Sequence, residues 1–349
     1  MKRKRIIAID FFCGAGGLTR GLLDSGIRVL AGIDNDFRLK DTYEKNNTPA
    51  QFIGQDICSI NIFDLREALG IRPNDVVVYA ACAPCQPFST LTQKQGMDNR
   101  KELLLAFAKL VEQMPPDFIV VENVPGLHNS TGKDVFERFV EVLDRAGFKI
   151  RYAEELNARD YGVAQERKRF LMLASRHGYI AKPSKSRSRK TVKDAIGKFP
   201  KLTAGAMNTK YANHKAQDLK PHLLQIVKAV PINGGSRSDV MDTSILLKCH
   251  QSKPKVHKDV FGRMSWAKPA PTLTCRCLHV YCGRFVHPEQ DRGLSLREAA
   301  AIQSFPDDYV FYGRSDMHIA KQIGNAVPVE LARRIGMALK KSIRNKTRR

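Results

Sequence analysis

Runs of β-branched and other apolar residues alternate with helix-like stretches in the first half of the chain, and this alternation most constrains its fold. RIIAIDFF (5–12), RVLAGID (28–34) and DVVVYAAC (75–82) are typical of buried strands, and KDVFERFVEVLDRAGF (133–148) has apolar residues at helical spacing. Further strands are predicted at AQFIGQDI (50–57), DFIVVENV (117–124), KIRYAEELNA (149–158) and RFLMLAS (169–175). The pattern predicts an α/β fold with a doubly wound, mostly parallel sheet that binds ligands at the carboxyl ends of its strands.

The composition of the sequence changes after these predicted strands and helices. KPSKSRSRKTVKD (182–194) is rich in Ser, Lys and Arg and has no apolar period, and the residues that follow are basic and contain scattered Pro and Gly. Helical patterns return at LSLREAAAIQSF (294–305) and PVELARRIGMALKKSIRNK (328–346), the latter with a proline at its first turn. We predict a large first domain at 1–183, a smaller irregular domain at 184–290, and a C-terminal segment at 291–349.

The charge balance indicates a polyanionic partner. The chain has 58 Lys and Arg against 35 Asp and Glu, a formal charge of +23. Nucleic acid fits this balance best, although ribosome-associated and membrane-surface proteins share it. No run of 18 apolar residues predicts a membrane span, and MKRKRIIAIDFF (1–12) lacks the features of a signal peptide. We therefore expect a cytoplasmic protein whose eight cysteines are reduced.

Glycines and acids at the ends of the first three strands indicate a nucleoside-containing cofactor. The first strand runs through DFFCGAGG (10–17) into a helix, and Gly14 and Gly16 allow a ligand to approach the backbone. Asp34 ends the second strand, where it could accept from ribose hydroxyls, and Asp56 follows the third, where it could accept from an adenine amino group. The alternative is an ordinary strand-to-helix turn with two solvated acids.

A cysteine between prolines marks the end of the fourth strand. In APCQPFS (83–89), Pro84 and Pro87 restrict the backbone around Cys85, and Glu122 ends the fifth strand at the same edge of the sheet. A thiol and a carboxylic acid would then face one cleft. The alternatives are an inert thiol, a redox pair or half of a zinc site formed with the cysteine three residues earlier, and a glutamate that merely begins a loop.

Six blocks, taken in order, resemble the DNA (cytosine-5)-methyltransferase family of bacteria and phages. The resemblance covers most of the chain and implies a Rossmann-like AdoMet-dependent methyltransferase fold. It also implies that the irregular segment is a target-recognition domain. The blocks are DFFCGAGG (10–17), APCQPFS (83–89), ENVPG (122–126), QERKR (165–169), REAAAIQSFPDDY (297–309) and QIGNAVP (322–328).

The resemblance implies covalent catalysis. The Cys85 thiolate would add to C6 of cytosine and make C5 electron-rich, while Glu122 would relieve the charge that develops toward N3. Arg167 and Arg169 resemble residues that hold the cytosine carbonyl or the cysteine loop, and their charge would favour the thiolate. Of the two arginines, the sequence favours Arg167 for the active-site role; the alternative for both is contact with phosphates.

The resemblance also implies S-adenosyl-L-methionine (AdoMet) as cofactor. Phe12 would pack on the adenosine moiety, with Asp34 at the ribose and Asp56 and Ile57 at the adenine. Phe11 and Cys13 depart from the family's usual loop residues, which would alter packing there. The full cofactor set implied is Phe12, Gly14, Gly16, Asp34, Asp56, Ile57, Pro84, Asn325 and Val327.

Double-stranded DNA is the substrate that the resemblance implies, with the target cytosine rotated out of the helix. A monomeric modification enzyme paired with a restriction endonuclease is the corresponding biological context. The alternatives are a tRNA methyltransferase of the same fold and a nucleic-acid-binding module without activity. A Cys- and His-rich patch between Cys249 and Cys282 matches no standard zinc spacing, so we expect no metal.

Overall fold

The computed structural model describes residues 5–84, 102–128, 132–252 and 259–346. These residues form two compact units. The first comprises Met1–Asn157, Lys168–Lys185 and Val327–Arg349, and the second comprises Ala158–Arg167 and Ser186–Ala326. Residues 291–326, grouped with the C-terminal segment from sequence, therefore lie in the second unit.

A seven-stranded sheet forms the centre of the first unit, and all seven predicted strands are observed in the described residues. The strands are β1 (Ile6–Phe11), β2 (Arg28–Asp34), β3 (Gln51–Gly54), β4 (Val76–Ala81), β5 (Phe118–Asn123), β6 (Lys149–Asn157) and β7 (Lys168–Ser175). Their order is β3-β2-β1-β4-β5-β7-β6, and β7 runs antiparallel to both of its neighbours. The prediction of a doubly wound, mostly parallel sheet is confirmed. The strand order reverses between β1 and β4, where sheets of this type bind ligands.

Helices of the first unit follow the strands in the predicted alternation. They are α1 (Gly17–Asp24), α2 (Lys40–Asn46), α3 (Ile62–Ala68), α4 (Glu102–Gln113), α5 (Lys133–Arg145) and α11 (Val329–Lys346). Helix α11 packs closely on α1, because a Cβ at Gly21 would lie only 2.4 Å from the Cβ of Ala332. The last helix of the described chain is thus packed against the helix that follows β1.

The described part of the second unit contains helices and isolated β-bridges but no β-strand. Its helices are α6 (Val192–Ile196), α7 (Pro221–Ala229), α8 (Lys248–Ser252), α9 (Leu296–Ile302) and α10 (Asp316–Asn325). Without sheet ladders, many carbonyl groups depend on side-chain donors. The buried Arg263 donates to the carbonyls of Val227 and Val230 at 2.8 and 2.9 Å, and buried Arg297 donates to those of Asp307 and Tyr309. Buried guanidinium groups therefore bind backbone carbonyls within this second unit.

No helix within the described residues combines the length and apolar character that crossing a membrane requires.

Candidate active site

The loop between β1 and α1 has an unusual backbone conformation. Phe12, Gly14 and Gly16 have φ values of 59°, 54° and 85°, all in the left-handed region. A Cβ at Gly14 would meet no atom of the described residues within 4 Å, so there is open space beside the loop. Gly16 is the N-cap of α1 and carries no side chain over the helix end. The loop can therefore receive a ligand close to its backbone, as the cofactor prediction requires.

Asp34 is brought to this loop from the end of β2. Its Oδ2 accepts a hydrogen bond from the N–H of Gly14 at 3.0 Å, and its Oδ1 accepts from the N–H of Asp36 at 3.0 Å. The structure thus joins two of the predicted cofactor residues directly. An acid at the end of the second strand of such a sheet is placed where it can accept from ribose hydroxyls. The residues present fit the ribose end of an adenosine cofactor.

The remaining cofactor candidates lie in two units. In the first unit, exposed Asp56 accepts a hydrogen bond from the N–H of Cys58 at 2.8 Å, Ile57 and Val327 are buried, and Pro84 is half-buried. Asn325 lies in the second unit, where its Oδ1 accepts from the Cys275 thiol at 2.9 Å.

Asp10, at the end of β1, is a buried acid to which the sequence pattern assigns no role. Its Oδ2 accepts a hydrogen bond from the Thr19 hydroxyl at 2.7 Å, and this hydroxyl lies 2.8 Å from that of Tyr43. Its Oδ1 is buried without a hydrogen-bond partner among the described residues. Burial, opposed by the hydrogen bond from Thr19, raises the pKa of Asp10 to about 7. The carboxyl group therefore changes charge near neutral pH beneath the loop.

We predict that Asp10→Asn removes a pH dependence from the stability of the first unit. Because the pKa of Asp10 is raised to about 7, its contribution to stability is present at low pH and is lost as the pH rises from about 4 through 7. The unfolding free energy of the variant relative to the wild type should rise by about 3 kcal/mol between pH 5 and pH 8. Urea denaturation of both proteins across this pH range measures the difference in unfolding free energy. A difference that does not change with pH would contradict the raised pKa of Asp10.

Glu122, at the end of β5, lies between two polar side chains of the same unit. The carboxylate is buried, with 2 % of the residue exposed. Its Oε2 accepts a hydrogen bond from the Cys82 thiol at 2.9 Å, and its Oε1 lies 3.2 Å from Nε of Arg169. Oε1 accepts no aligned hydrogen bond from the described residues, so it retains the capacity to bond a substrate.

Asn123, the next residue of β5, is hydrogen-bonded to the segment that follows β4. Nδ2 of Asn123 donates to the carbonyl of Ala83 at 3.1 Å, while the N–H of Cys82 donates to the carbonyl of Phe11 at 3.2 Å. The residues that precede Cys85 are therefore attached to the ends of both β1 and β5. Cys85 itself lies outside the described residues.

The two candidate arginines are placed differently. Arg169 belongs to β7 and pairs with Glu122. Arg167 lies in the second unit, is 2 % exposed, and donates to the carbonyls of Leu273 and Gly324 at 2.9 and 2.8 Å. The sequence favours Arg167 for the active site, whereas the described contacts bring Arg169 to the predicted acid. The contacts of Arg167 attach it to the backbone of the second unit.

Within the described residues, no three His, Cys, Asp or Glu side chains of the Cys- and His-rich patch are grouped as metal ligands. Cys277 is fully buried, and burial raises the pKa of its thiol to about 12.

Comparison with known proteins identifies related sequences over nearly the whole chain. A family model described as C-5 cytosine-specific DNA methylase matches residues 6–341. The Type II methylase M.HgiDII of Herpetosiphon aurantiacus is 38% identical over 342 residues, covering 95% of this chain and 94% of that protein. The Type II methyltransferase M1.HphI of Haemophilus parahaemolyticus is 36% identical over 341 residues, covering 95% and 86%.

Solved structures share the fold. A prophage-encoded Escherichia coli protein described as a DNA modification methyltransferase superposes with a TM-score of 0.71 at 22% identity, covering 97% of this chain and 99% of that one. The Entamoeba histolytica methyltransferase EhMeth gives a TM-score of 0.66 at 17% identity, covering 98% and 99%. At these identities the likeness supports the architecture alone.

Proposed function

Because this chain belongs to the C-5 cytosine-specific DNA methylase family and is a DNA cytosine-5 methyltransferase, we propose that it acts on a flipped-out cytosine within a specific double-stranded DNA sequence through a covalent Cys85–C6 adduct. The observation that carries this proposal is the geometry of Glu122, a buried carboxylate between Cys82 and Arg169 at the carboxyl end of a central strand. A buried carboxyl group at the ligand-binding edge of the sheet can form a hydrogen bond with a base bound there.

Cytosine C5 is too weak a nucleophile to accept a methyl group without activation. The thiolate of Cys85 adds to C6, the C5–C6 double bond opens, and the electron pair moves toward C5 and N3. Glu122 relieves the charge at N3 by a hydrogen bond from its carboxyl group, using the oxygen that accepts no aligned bond from the described residues. Once C5 carries the methyl group, a base removes the C5 proton, the electron pair re-forms the C5–C6 double bond, and Cys85 leaves as the thiolate, which restores the aromatic ring.

Arg169 is the arginine we propose for the active site. Its Nε faces Glu122 and its Nη1 donates to the carbonyl of Lys168 at 2.7 Å, which leaves further N–H donors for the carbonyl of the cytosine. Its positive charge would also favour the thiolate form of Cys85 in the proposed site. For Arg167 we propose a positioning role, because it donates to three backbone carbonyls of the second unit.

AdoMet, which members of this family use, supplies the electrophilic methyl group. The left-handed loop at Phe12, Gly14 and Gly16 and the carboxylate of Asp34 would hold its methionine and ribose parts. Asp56 and Ile57 would contact the adenine, and Pro84 and Val327 would complete the part of the site that the first unit forms.

The second unit is proposed to recognise the DNA sequence. It has no sheet within its described residues, and its surface includes Arg276 and the exposed ring of Tyr281, which stacks on His279 at 4.9 Å. Cationic and aromatic side chains of this kind contact phosphates and base edges. The basic tail of α11 can also neutralise phosphates.

We predict that replacing residues 184–290 with the corresponding segment of a relative changes which cytosine is methylated while the reaction remains. Base contacts come from a few side chains of the recognition segment, whereas the chemistry depends on the first unit. Sequencing of methylated sites on a plasmid measures the change. Unchanged sequence specificity in an active chimaera would place recognition outside this segment.

Bisulfite sequencing of a plasmid from cells that express the chain tests the proposed function. We expect complete protection of one cytosine within a short recurring sequence, and no protection with Cys85→Ala. Methylation confined to tRNA would contradict a DNA substrate. A cytoplasmic, monomeric enzyme paired with a restriction endonuclease is the context that we propose for this activity.

A further inference from the structure

The thiol of Cys82 is a polar group at the candidate site that the proposed mechanism does not use. It is half-buried, and it donates a hydrogen bond to Oε2 of Glu122 at 2.9 Å. Its own backbone N–H is bonded to the carbonyl of Phe11, so the thiol is held at a fixed position between the ends of β1 and β5. A side chain held in this way can restrict the orientation of the group that it contacts.

We propose that Cys82 is a positioning residue that sets the orientation of the Glu122 carboxyl group for the methyl transfer. With Oε2 held by the thiol and Oε1 facing Nε of Arg169, the carboxyl plane is fixed at two points. Oε1, which accepts no aligned hydrogen bond from the described residues, is then the oxygen that we propose bonds the substrate. This inference rests on the proposed role of Glu122 and adds the residue through which its geometry is maintained.

The same contact joins the acid to the segment that leads to the nucleophile. Cys82 precedes Cys85 by three residues. The carbonyl of the intervening Ala83 accepts from Asn123, the neighbour of Glu122. Two adjacent residues of β5 therefore hold two adjacent residues that follow β4. Displacement of either pair would alter the position of the acid relative to the cytosine, and small displacements of this kind strongly reduce the rate of a chemical step.

The test compares Cys82→Ala, Cys82→Ser, Glu122→Gln and the double variant Cys82→Ala with Glu122→Gln. We expect Cys82→Ala to lower kcat by about tenfold, with KM for DNA and AdoMet changed by less than about twofold. Cys82→Ser should recover much of the loss, since a hydroxyl group also donates to a carboxylate. Once Glu122 is replaced, Cys82→Ala should produce no further loss, because the group that it positions is absent.

Several results would overturn the inference. One is an unchanged kcat in Cys82→Ala. A second is a Cys82→Ser variant whose kcat is as low as that of Cys82→Ala. A third is a double variant whose fold-loss in kcat equals the product of the two single losses. Thermal unfolding of each variant checks that the fold is retained. If Glu122→Gln itself retained full kcat, the proposed function of Glu122 would fail. If kcat fell strongly in Glu122→Gln and was unchanged in Cys82→Ala, only the proposed role of Cys82 would be contradicted.

Discussion

Cys85→Ala is expected to abolish methyl transfer while AdoMet binding remains. Without the thiolate no bond forms at C6, so C5 stays a poor nucleophile, and we expect kcat to fall at least about a thousandfold. The cofactor residues of the first unit do not include Cys85, so the dissociation constant for AdoMet should change by less than about twofold. Transfer of labelled methyl groups to DNA and calorimetric titration with AdoMet measure the two quantities.

Cys85→Ser is the matched control for this loss. A serine hydroxyl group preserves size and hydrogen bonding but is not ionised at neutral pH, so this variant should be almost as inactive as Cys85→Ala. Normal turnover in either variant would be incompatible with covalent catalysis by this residue. Loss of AdoMet binding together with activity would instead indicate that the substitution disturbs the first unit.

Glu122→Gln is expected to produce the second-largest loss, with DNA binding preserved. The amide cannot transfer a proton to N3 and replaces one acceptor oxygen next to Cys82 or Arg169 by a donor. We expect kcat to fall by about a hundredfold, and the affinity for DNA to change by less than about threefold. Single-turnover kinetics and a DNA-binding titration separate the two effects.

Glu141→Gln, on the exposed face of α5, is the control for the removal of one negative charge from the same unit. It should leave kcat unchanged. If Glu122→Gln were no more impaired than Glu141→Gln, the carboxyl group at the end of β5 would have no part in the chemistry. Weakened DNA binding with an unchanged single-turnover rate would assign Glu122 to binding.

Local sequence patterns were sufficient to predict the strands and the position of Glu122 in the fold. The sequence of strand β5 is an apolar run that ends in an acid. Because the carboxyl ends of parallel strands form the ligand-binding edge of the sheet, the acid is expected at that edge. The glycine loop before α1 and Asp34 at the end of β2 were predicted on the same basis, and the structure joins them through a direct hydrogen bond.

Contacts between distant residues could not be predicted in this way. The bond from Cys82 to Glu122 joins residues 40 positions apart and depends on the register of β4 against β5, which no local pattern specifies. Arg167 and Arg169 are two residues apart in one motif, yet they belong to different compact units. The burial of Asp10 likewise depends on the packing of Thr19 and Tyr43 around it.

The central claim is that a sulfur atom of Cys85 bonds to the cytosine ring during the reaction. Duplexes that carry 5-fluorocytosine at the target position test it most directly, because fluorine cannot leave C5 as a proton does and the adduct is trapped. We expect the protein, incubated with such a duplex and AdoMet, to form a complex that survives denaturation and in which peptide mapping places the base on Cys85. Absence of any such complex from an enzyme that methylates the unmodified duplex would contradict the covalent mechanism.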